Sequence, residues 1–340
     1  MASSVGIVVI GRNEGDRLKA CLRSVAEAGH VVYVDSGSTD GSQDFARSIG
    51  VRVVELAVPP NFTAARARNA GASVLLSDAG NAPAFLQFVD GDCEVQPGWI
   101  ETGIAALEAD AGLALVFGRR RERYPDRSIY NALCDDEWDV PIGEVGACGG
   151  DILIRAEAYH AVGGYPDDMI AGEEPDMSMR LRALGWRLAR IAGEMTLHDA
   201  AITRFGQWWR RTKRAGHAFA ELAFRHPQSR WPDWKASVRR DILWGGIIPG
   251  AALAGLIAAV IVDRWFLAIT VASVALFMIN VGRIFVRRSA DGLLPRLARA
   301  SALLLMIGKI AEFAGILSFH RQRLSGRKAE LIEYKGPSAT

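Results

Sequence analysis

With 340 residues, half of them apolar, the chain is longer than one average domain and can bury a sizeable core. Its net charge of +2 hides an asymmetry, because residues 1–199 hold 18 Lys/Arg against 30 Asp/Glu and residues 200–340 hold 22 against 8. An acidic first part suits a metal or a polyhydroxy ligand, and a basic second part beside apolar runs suits anionic lipid headgroups; those runs argue against nucleic acid as the partner. Cys21, Cys93, Cys134 and Cys148 form no CxxC pair, which argues against a zinc site or a disulfide framework.

The first part alternates short β-branched runs with amphipathic stretches. Val5–Ile10 is too short for a signal peptide and reads as a buried strand, so export of the N-terminal part is not expected. A helix is predicted over Asp16–Ala28, with Leu18, Leu22 and Val25 on one face. A strand Val31–Asp35, a polar turn, a helix from about Ser42 and a third strand Val51–Leu56 follow. Next come a helix over Thr63–Leu76 and a strand Phe85–Asp90 that ends on carboxylates. This rhythm predicts an α/β fold with a mainly parallel sheet and helices on both faces. Ligands of such sheets bind beyond the carboxyl ends of the strands. There the sequence places Asn13 and Glu14, then Asp35, then Asp90 and Asp92.

From Arg119 to Gly150 the pattern breaks into a charged, aromatic stretch, read as a long loop over the sheet. Leu153–Ile154 and Trp186–Ile191 are expected as strands, with a helix near Pro175–Leu184 between them. The basic, tryptophan-rich stretch from His198 to Arg240 suits helices on a membrane surface. Ile242–Val262 has no charged residue, Trp265–Ile284 has only Arg283, and each is long enough to cross a hydrocarbon core. Joined by Asp263–Arg264, they predict a transmembrane hairpin. Arg239 and Arg240 before it, and Arg287 and Arg288 after it, put both ends in the cytosol. In Leu297–Phe319 the residues Arg299, Ser301, Lys309 and Glu312 share one side of a helix, which favours a helix lying in the interface over a third crossing. A crossing would also leave Arg321, Arg323, Arg327 and Lys328 outside. The expected organisation is a catalytic unit over 1–199, interfacial helices over 200–241, a hairpin over 242–286, and an interfacial or third membrane helix with a basic tail over 287–340.

Asp90-Gly91-Asp92 after an apolar strand can aim two carboxylates at one ligand. A diphosphate needs a divalent cation, and hard oxygen ligands suit Mg²⁺ or Mn²⁺. An isolated DxD is more often an ordinary turn; its company decides. Asn13-Glu14, then Asp35-Ser36-Gly37-Ser38-Thr39-Asp40, then Arg68-Asn69-Ala70-Gly71, then this DxD, and later Gly172-Glu173-Glu174-Pro175-Asp176 through Arg180 form an ordered set over about residues 4–200. The set resembles the family 2 glycosyltransferases. The resemblance implies a GT-A fold, a mixed sheet with helices on both faces, here followed by a C-terminal helical membrane region, and an inverting enzyme of the hexosyltransferase class.

By that resemblance, Asp35 accepts a hydrogen bond from the nucleotide base, and Asn13 or Glu14 lies near the base or ribose. Arg68 lies against the diphosphate, Asp90 meets ribose or metal, Asp92 binds the metal, and His198 completes the metal site. A carboxylate of the Glu173–Asp176 segment is the general base; Glu174 is favoured, with Glu173 and Asp176 as alternatives. The family's Glu-Asp is Glu173-Glu174 here, one methylene longer, which puts that assignment in doubt. Gln207-Trp208-Trp209-Arg210-Arg211 is similar to the Gln-x-x-Arg-Trp motif of processive synthases, but Arg211 replaces the final Trp and processivity is not expected. The expected partners are a nucleotide-sugar donor, UDP-linked by preference, a lipid-linked (polyprenyl) or glycan acceptor, and the lipids of the inner membrane. The alternatives are a polyprenyl-phosphate sugar synthase, a non-catalytic nucleotide- or glycan-binding scaffold, and, more remotely, a nucleotidyltransferase.

Overall fold

The computed structural model describes residues 4–57, 62–77 and 80–326, and the chain divides into two compact units. The basic tail with Arg327 and Lys328 lies outside the described residues.

The first unit takes in residues 4–126 and Cys134–Ala201. Its elements begin with β1 (Val5–Gly11), α1 (Asp16–Val25), β2 (His30–Asp35), α2 (Ser42–Ser48), β3 (Arg52–Glu55), α3 (Ala64–Leu76) and β4 (Phe85–Asp90). They continue with β5 (Cys93–Val95), α4 (Trp99–Ala109) and β6 (Leu113–Glu122). After α5 (Ile129–Glu137), which straddles the two units, come β7 (Gly143–Glu144), β8 (Ile152–Arg155), α6 (Ala156–Ala161), α7 (Glu173–Ala183) and β9 (Arg187–His198). The sheet order is β3-β2-β1-β4-β8-β6-β9-β5, with β7 on β9. β1 to β4 are parallel, as their alternation with helices predicts, whereas β8 is antiparallel to both β4 and β6. The sheet is therefore mixed.

Apolar side chains of β1 alternate between the two faces. Ile7 and Val9 join Leu18, Leu22 and Trp99 on one side, and Val8 and Ile10 join Ala67, Leu86 and Phe88 on the other. This is the period-two signature of a strand covered on both faces. On the second face α3 comes so close that a methyl group at Gly71 would lie 2.4 Å from Val8 Cγ1, so the glycine is a packing requirement.

The stretch 119–150 is not the long loop expected. It holds the end of the ten-residue β6 and the helix α5. Its charges masked the strand because they are paired inside: Arg119 meets Asp135 at 2.9 Å and Arg120 meets Asp151 at 2.7 Å. β9 likewise runs seven residues past Ile191, through the polar Glu194 and Thr196 to His198.

The second unit takes in Arg127–Leu133 and residues 202–326. It holds α8 (Phe205–Arg225), then α9 (Trp234–Asp241), which runs through a π-helical turn over Ile242–Ile247 into α10 (Ile248–Ile261), then α11 (Leu267–Ala290) and α12 (Pro295–Ser325). Three helices among the described residues are long and apolar enough to cross a membrane: Trp234–Ile261, Arg264–Ala290 and Pro295–Ser325. The first two leave most of their apolar surface uncovered, with Val260 82% and Trp265 77% exposed. α12 has a buried side made of Ala298, Ala302, Met306, Ala311 and Ile316.

Substituting Gly71 with Val should destabilise the first unit by about 1–3 kcal/mol through overpacking against β1. Thermal unfolding of the variant, with secondary structure by circular dichroism as control, checks it; an unchanged transition would contradict the packing described.

Candidate active site

The site begins where three neighbouring strands end. Ile10 of β1 pairs with Asp90 and Gly11 pairs with Asp35, so the two aspartates flank the end of β1 from either side. Two strand spacings separate them, about 10 Å. The loop after β1 is tied to the loop after β2. Asn13, in the left-handed region at φ 54, accepts from the Thr39 amide at 2.8 Å and donates its own amide to Ser38 Oγ at 2.9 Å. The Gly15 amide donates to Asp40 at 2.8 Å, and Glu14 pairs with Arg17 at 2.7 Å.

Asp35, which by the resemblance accepts from the nucleotide base, already has donors within the chain. It is fully buried. Oδ1 takes the Tyr33 hydroxyl at 2.7 Å, and Oδ2 takes the amides of Gly37 and Ser38 and the Gln43 side-chain amide at 2.7–2.9 Å. Four donors fill a carboxylate's usual capacity. Its place in the structure is to shape the turn after β2.

Arg68, 2% exposed on α3, is the hub of the cleft. One terminal nitrogen of its guanidinium meets Asp90 Oδ1 at 2.8 Å, and the other meets Glu173 Oε1 and Glu174 Oε1, each at 3.1 Å. The Tyr165 ring lies 5.3 Å from the guanidinium carbon. Asn69, next to Arg68, holds the loop that carries this ring: it donates to the Tyr165 carbonyl and to Asp167, and it accepts from the Tyr165 amide and the Tyr159 hydroxyl.

β5 and β9 bring Asp92 and His198 together, because Cys93 pairs with His198 in the antiparallel register. Asp92 Oδ2 lies 3.2 Å from His198 Nε2. Burial, followed by the Arg120 charge, pulls the His198 pKa down to about 4, so the imidazole is neutral and keeps a lone pair to offer. Two atoms each bound about 2.1 Å from one ion at a right angle would be about 3 Å apart, so this oxygen–nitrogen pair fits Mg²⁺ or Mn²⁺. Cys93 is within reach of the same place. Burial raises its pKa well above the usual thiol value, which keeps it protonated, and a thiol is a poor match for such ions.

Two residues that sequence reasoning missed complete the cleft. Asp151, fully buried, accepts from the Asp90 amide at 3.0 Å and the Thr196 hydroxyl at 2.8 Å, and pairs with Arg120. Arg120 also approaches the second Asp90 oxygen at 3.6 Å and lies over Trp138, whose ring packs 4.6 Å from that of His198. The only sequence cue to Asp151 is a carboxylate set directly before the apolar run Ile152–Ile154.

Of the three candidate bases the structure gathers Glu173 and Glu174 at Arg68. Asp176 is set apart, because its carboxylate is held by Arg180, one helical turn on, at 2.8 Å. Within the cleft two guanidinium groups, Arg68 and Arg120, face five carboxylates: Asp90, Asp92, Asp151, Glu173 and Glu174. Fully ionised, that leaves an excess of three negative charges. The strain shows at Glu174, where burial and then the neighbouring Glu173 push the carboxyl up to about 7, with Arg68 pulling the other way.

Replacing Arg68 with Met should cost about 3–5 kcal/mol, the usual result of stranding buried partners of a charge. Without the guanidinium the carboxylates bind protons more tightly in the folded state than in the unfolded one. The deficit should therefore be largest above neutral pH and shrink as pH falls toward 5. Denaturant unfolding at pH 5 and pH 8 measures it; an equal deficit at both would contradict the shared-charge description.

A family model, Glycosyl transferase family 2, matches residues 6–159. The chain is 24% identical to the glycosyltransferase AglE of Haloferax volcanii over 226 residues, 62% of this chain and 71% of that one. It is 28% identical to the pre-mycofactocin glycosyltransferase of Mycobacterium tuberculosis over 244 residues, 67% of this chain and 49% of that one, so the match spans about half of that relative. The mannosyltransferase PcManGT from Pyrobaculum calidifontis, solved with GDP-Man and Mn²⁺, superposes with a TM-score of 0.55 at 19% identity, over 95% of this chain and 88% of that one. The mixed sheet, the ordered motifs along it and these likenesses agree: residues 6–159 are a family 2 glycosyltransferase domain, the unit that holds them has the GT-A fold, and the chain is a transferase enzyme.

Proposed function

We propose that the chain transfers a sugar, with inversion, from a nucleoside diphosphate donor of the UDP class to a hydroxyl of a lipid-linked acceptor at the inner membrane face. The observation that carries this reading is the buried cleft in which Arg68 is shared by three carboxylates beside the Asp92–His198 pair. A site with that excess of negative charge repels a bare diphosphate and suits one that arrives with a divalent cation.

Asp92 and His198 would hold Mg²⁺ or Mn²⁺, with Asp90 beside them. Once bound, the ion would supply Lewis-acid stabilisation of the departing diphosphate. Arg68 offers its planar fork to phosphate oxygens, exchanging part of its present carboxylate contacts for them. Asn13 and Glu14, on the loop after β1, stand on the donor side of the cleft. Asp35 keeps the turn after β2 in shape beside them. Glu174 takes the proton of the acceptor hydroxyl; a carboxyl near 7 is matched to that task at neutral pH. Glu173, with one oxygen on Arg68 and the other buried without a hydrogen-bond partner, keeps the Glu174 carboxylate basic by its charge.

The lipid-linked acceptor and the membrane location rest on the second unit. The continuous helical stretch Trp234–Ile261, which ends in α10, and the stretch Arg264–Ala290, which holds α11, expose apolar side chains and are long enough to cross as a hairpin. The arginines at both ends of that hairpin favour a cytosolic face for the catalytic unit.

The test is turnover by membranes carrying the full chain, supplied with labelled nucleotide sugars and Mn²⁺. Transfer into a lipid-extractable product, abolished by chelator, is the expected outcome; transfer unaffected by chelator would contradict the cation. Glu174→Gln should lower turnover by about 10²–10⁴-fold. Wild-type turnover should rise with pH through about 7, as the Glu174 carboxyl ionises. Near-normal turnover in Glu174→Gln would contradict a hydroxyl acceptor and favour a phosphate one, which needs no base.

A further inference from the structure

Helix α12 is long and apolar enough for a third crossing, yet its contacts put it elsewhere. It packs on both legs of the hairpin, on the first from Val238 to Gly246 at its base and on the second from Arg288 up to Phe277. On the first leg, Lys309 Nζ meets Asp241 Oδ1 at 2.8 Å and Glu312 Oε2 at 2.6 Å, and Ile316 and Phe319 cluster with Val238 and Ile242. On the second leg, Ala302 and Met306 cluster with Phe277, Val281, Ile284 and Phe285, and Arg288 donates to Ser301 at 3.1 Å. From Asp241 to the end of α10 at Ile261 the chain rises about 30 Å, one hydrocarbon thickness. Asp241 therefore sits at the boundary of the core when the tip at Asp263–Arg264 reaches the far side.

Lys309 and Glu312 lie at the middle of α12. If α12 crossed, they would stand at the bilayer centre and draw Asp241 there, with Lys235, Arg239 and Arg240 of α9 close behind.

The partner on the other side of α12 makes the same point. α8 runs parallel to the C-terminal half of α12. A methyl group at Gly216 would collide with the Glu312 backbone, His217 Nε2 is 3.0 Å from Gln322 Oε1, and Arg323 lies over the Phe224 ring at 3.9 Å. α8 carries Arg210, Arg211, Lys213 and Arg214 within five residues. A crossing α12 would pull this helix and its four cations into hydrocarbon, where a charged side chain is strongly disfavoured. In the headgroup layer the same four cations are attracted by anionic lipid.

We infer that α12 is a crossbeam lying in the headgroup layer across the base of the hairpin, so that the chain crosses the membrane twice and Ser325 returns to the face that holds α8. The surface formed by α8 and α12 docks on anionic phospholipid. This rests on the reading of α10 and α11 as a crossing hairpin, and the experiment separates the two.

The full chain, whose four cysteines are buried, is given single cysteines by Gln228→Cys between α8 and α9, Arg264→Cys at the hairpin tip and Ser325→Cys at the end of α12. Each is treated with a membrane-impermeant maleimide in inside-out and right-side-out vesicles. Gln228→Cys and Ser325→Cys should label at least about tenfold faster in one orientation, and Arg264→Cys in the other. Ser325→Cys following Arg264→Cys would overturn the crossbeam while leaving the hairpin intact. Gln228→Cys and Arg264→Cys sharing a preference would overturn the hairpin and the crossbeam with it. A C-terminal epitope tag on the unsubstituted chain gives an independent reading: digestion by protease in the same vesicles that label Gln228→Cys supports the crossbeam, and protection there overturns it.

Discussion

The cleft depends on one buried cation being insufficient for the anions around it. Arg68 touches Asp90 from β4 and both Glu173 and Glu174 from α7, and in doing so it joins α3, β4 and α7. A guanidinium taken out of water needs such partners, and three carboxylates so close need more positive charge than it supplies. The rest of the cleft relieves part of that imbalance. Arg120 answers Asp151 and leans toward Asp90, and the Glu174 carboxyl rises into the neutral range. What remains is an excess of negative charge in the cleft.

The fold supplies the convergence through register alone. β1, β2 and β4 end together, so Asp35 and Asp90 flank one strand end. The antiparallel pairing of β5 with β9 then returns His198 from far along the chain to the neighbour of Asp92. Further out, Asn69 ties the loop before α7 to α3, so the helix that carries Glu173 and Glu174 is linked to the one that carries Arg68. Placement of this kind is what proton transfer and phosphate recognition need.

What could be read from the sequence was what chemistry writes into local pattern. The strand-ending carboxylates Asp90 and Asp92, the Arg68-Asn69 pair and the Glu173-Glu174 helix start were recognisable as an ordered set, and the structure gathers Arg68, Asp90, Glu173 and Glu174 in one cleft with Asp92 and His198 alongside. What could not be read was how the polar atoms are shared out. Nothing local says that Asp35 is filled by four donors, or that Asp176 is taken by Arg180 on its own helix. Arg120 and Asp151 stayed hidden because their pairing spans two strands that are distant in sequence, and the charge of Arg119 and Arg120 made β6 read as loop. The same limit applies to α12, whose composition allows a crossing; only its contacts with Asp241 and α8 bear on where it lies.

The most direct measurement of the central claim is Mn²⁺ binding to the full chain in detergent, by titration in the presence of saturating UDP, for the wild type and for Asp92→Asn. The account predicts one bound ion in the wild type and an affinity at least about tenfold weaker in the variant, with the fold retained. Equal affinities in the two proteins, or no Mn²⁺ bound with UDP in the wild type, would contradict a cleft built to receive a cation with its diphosphate.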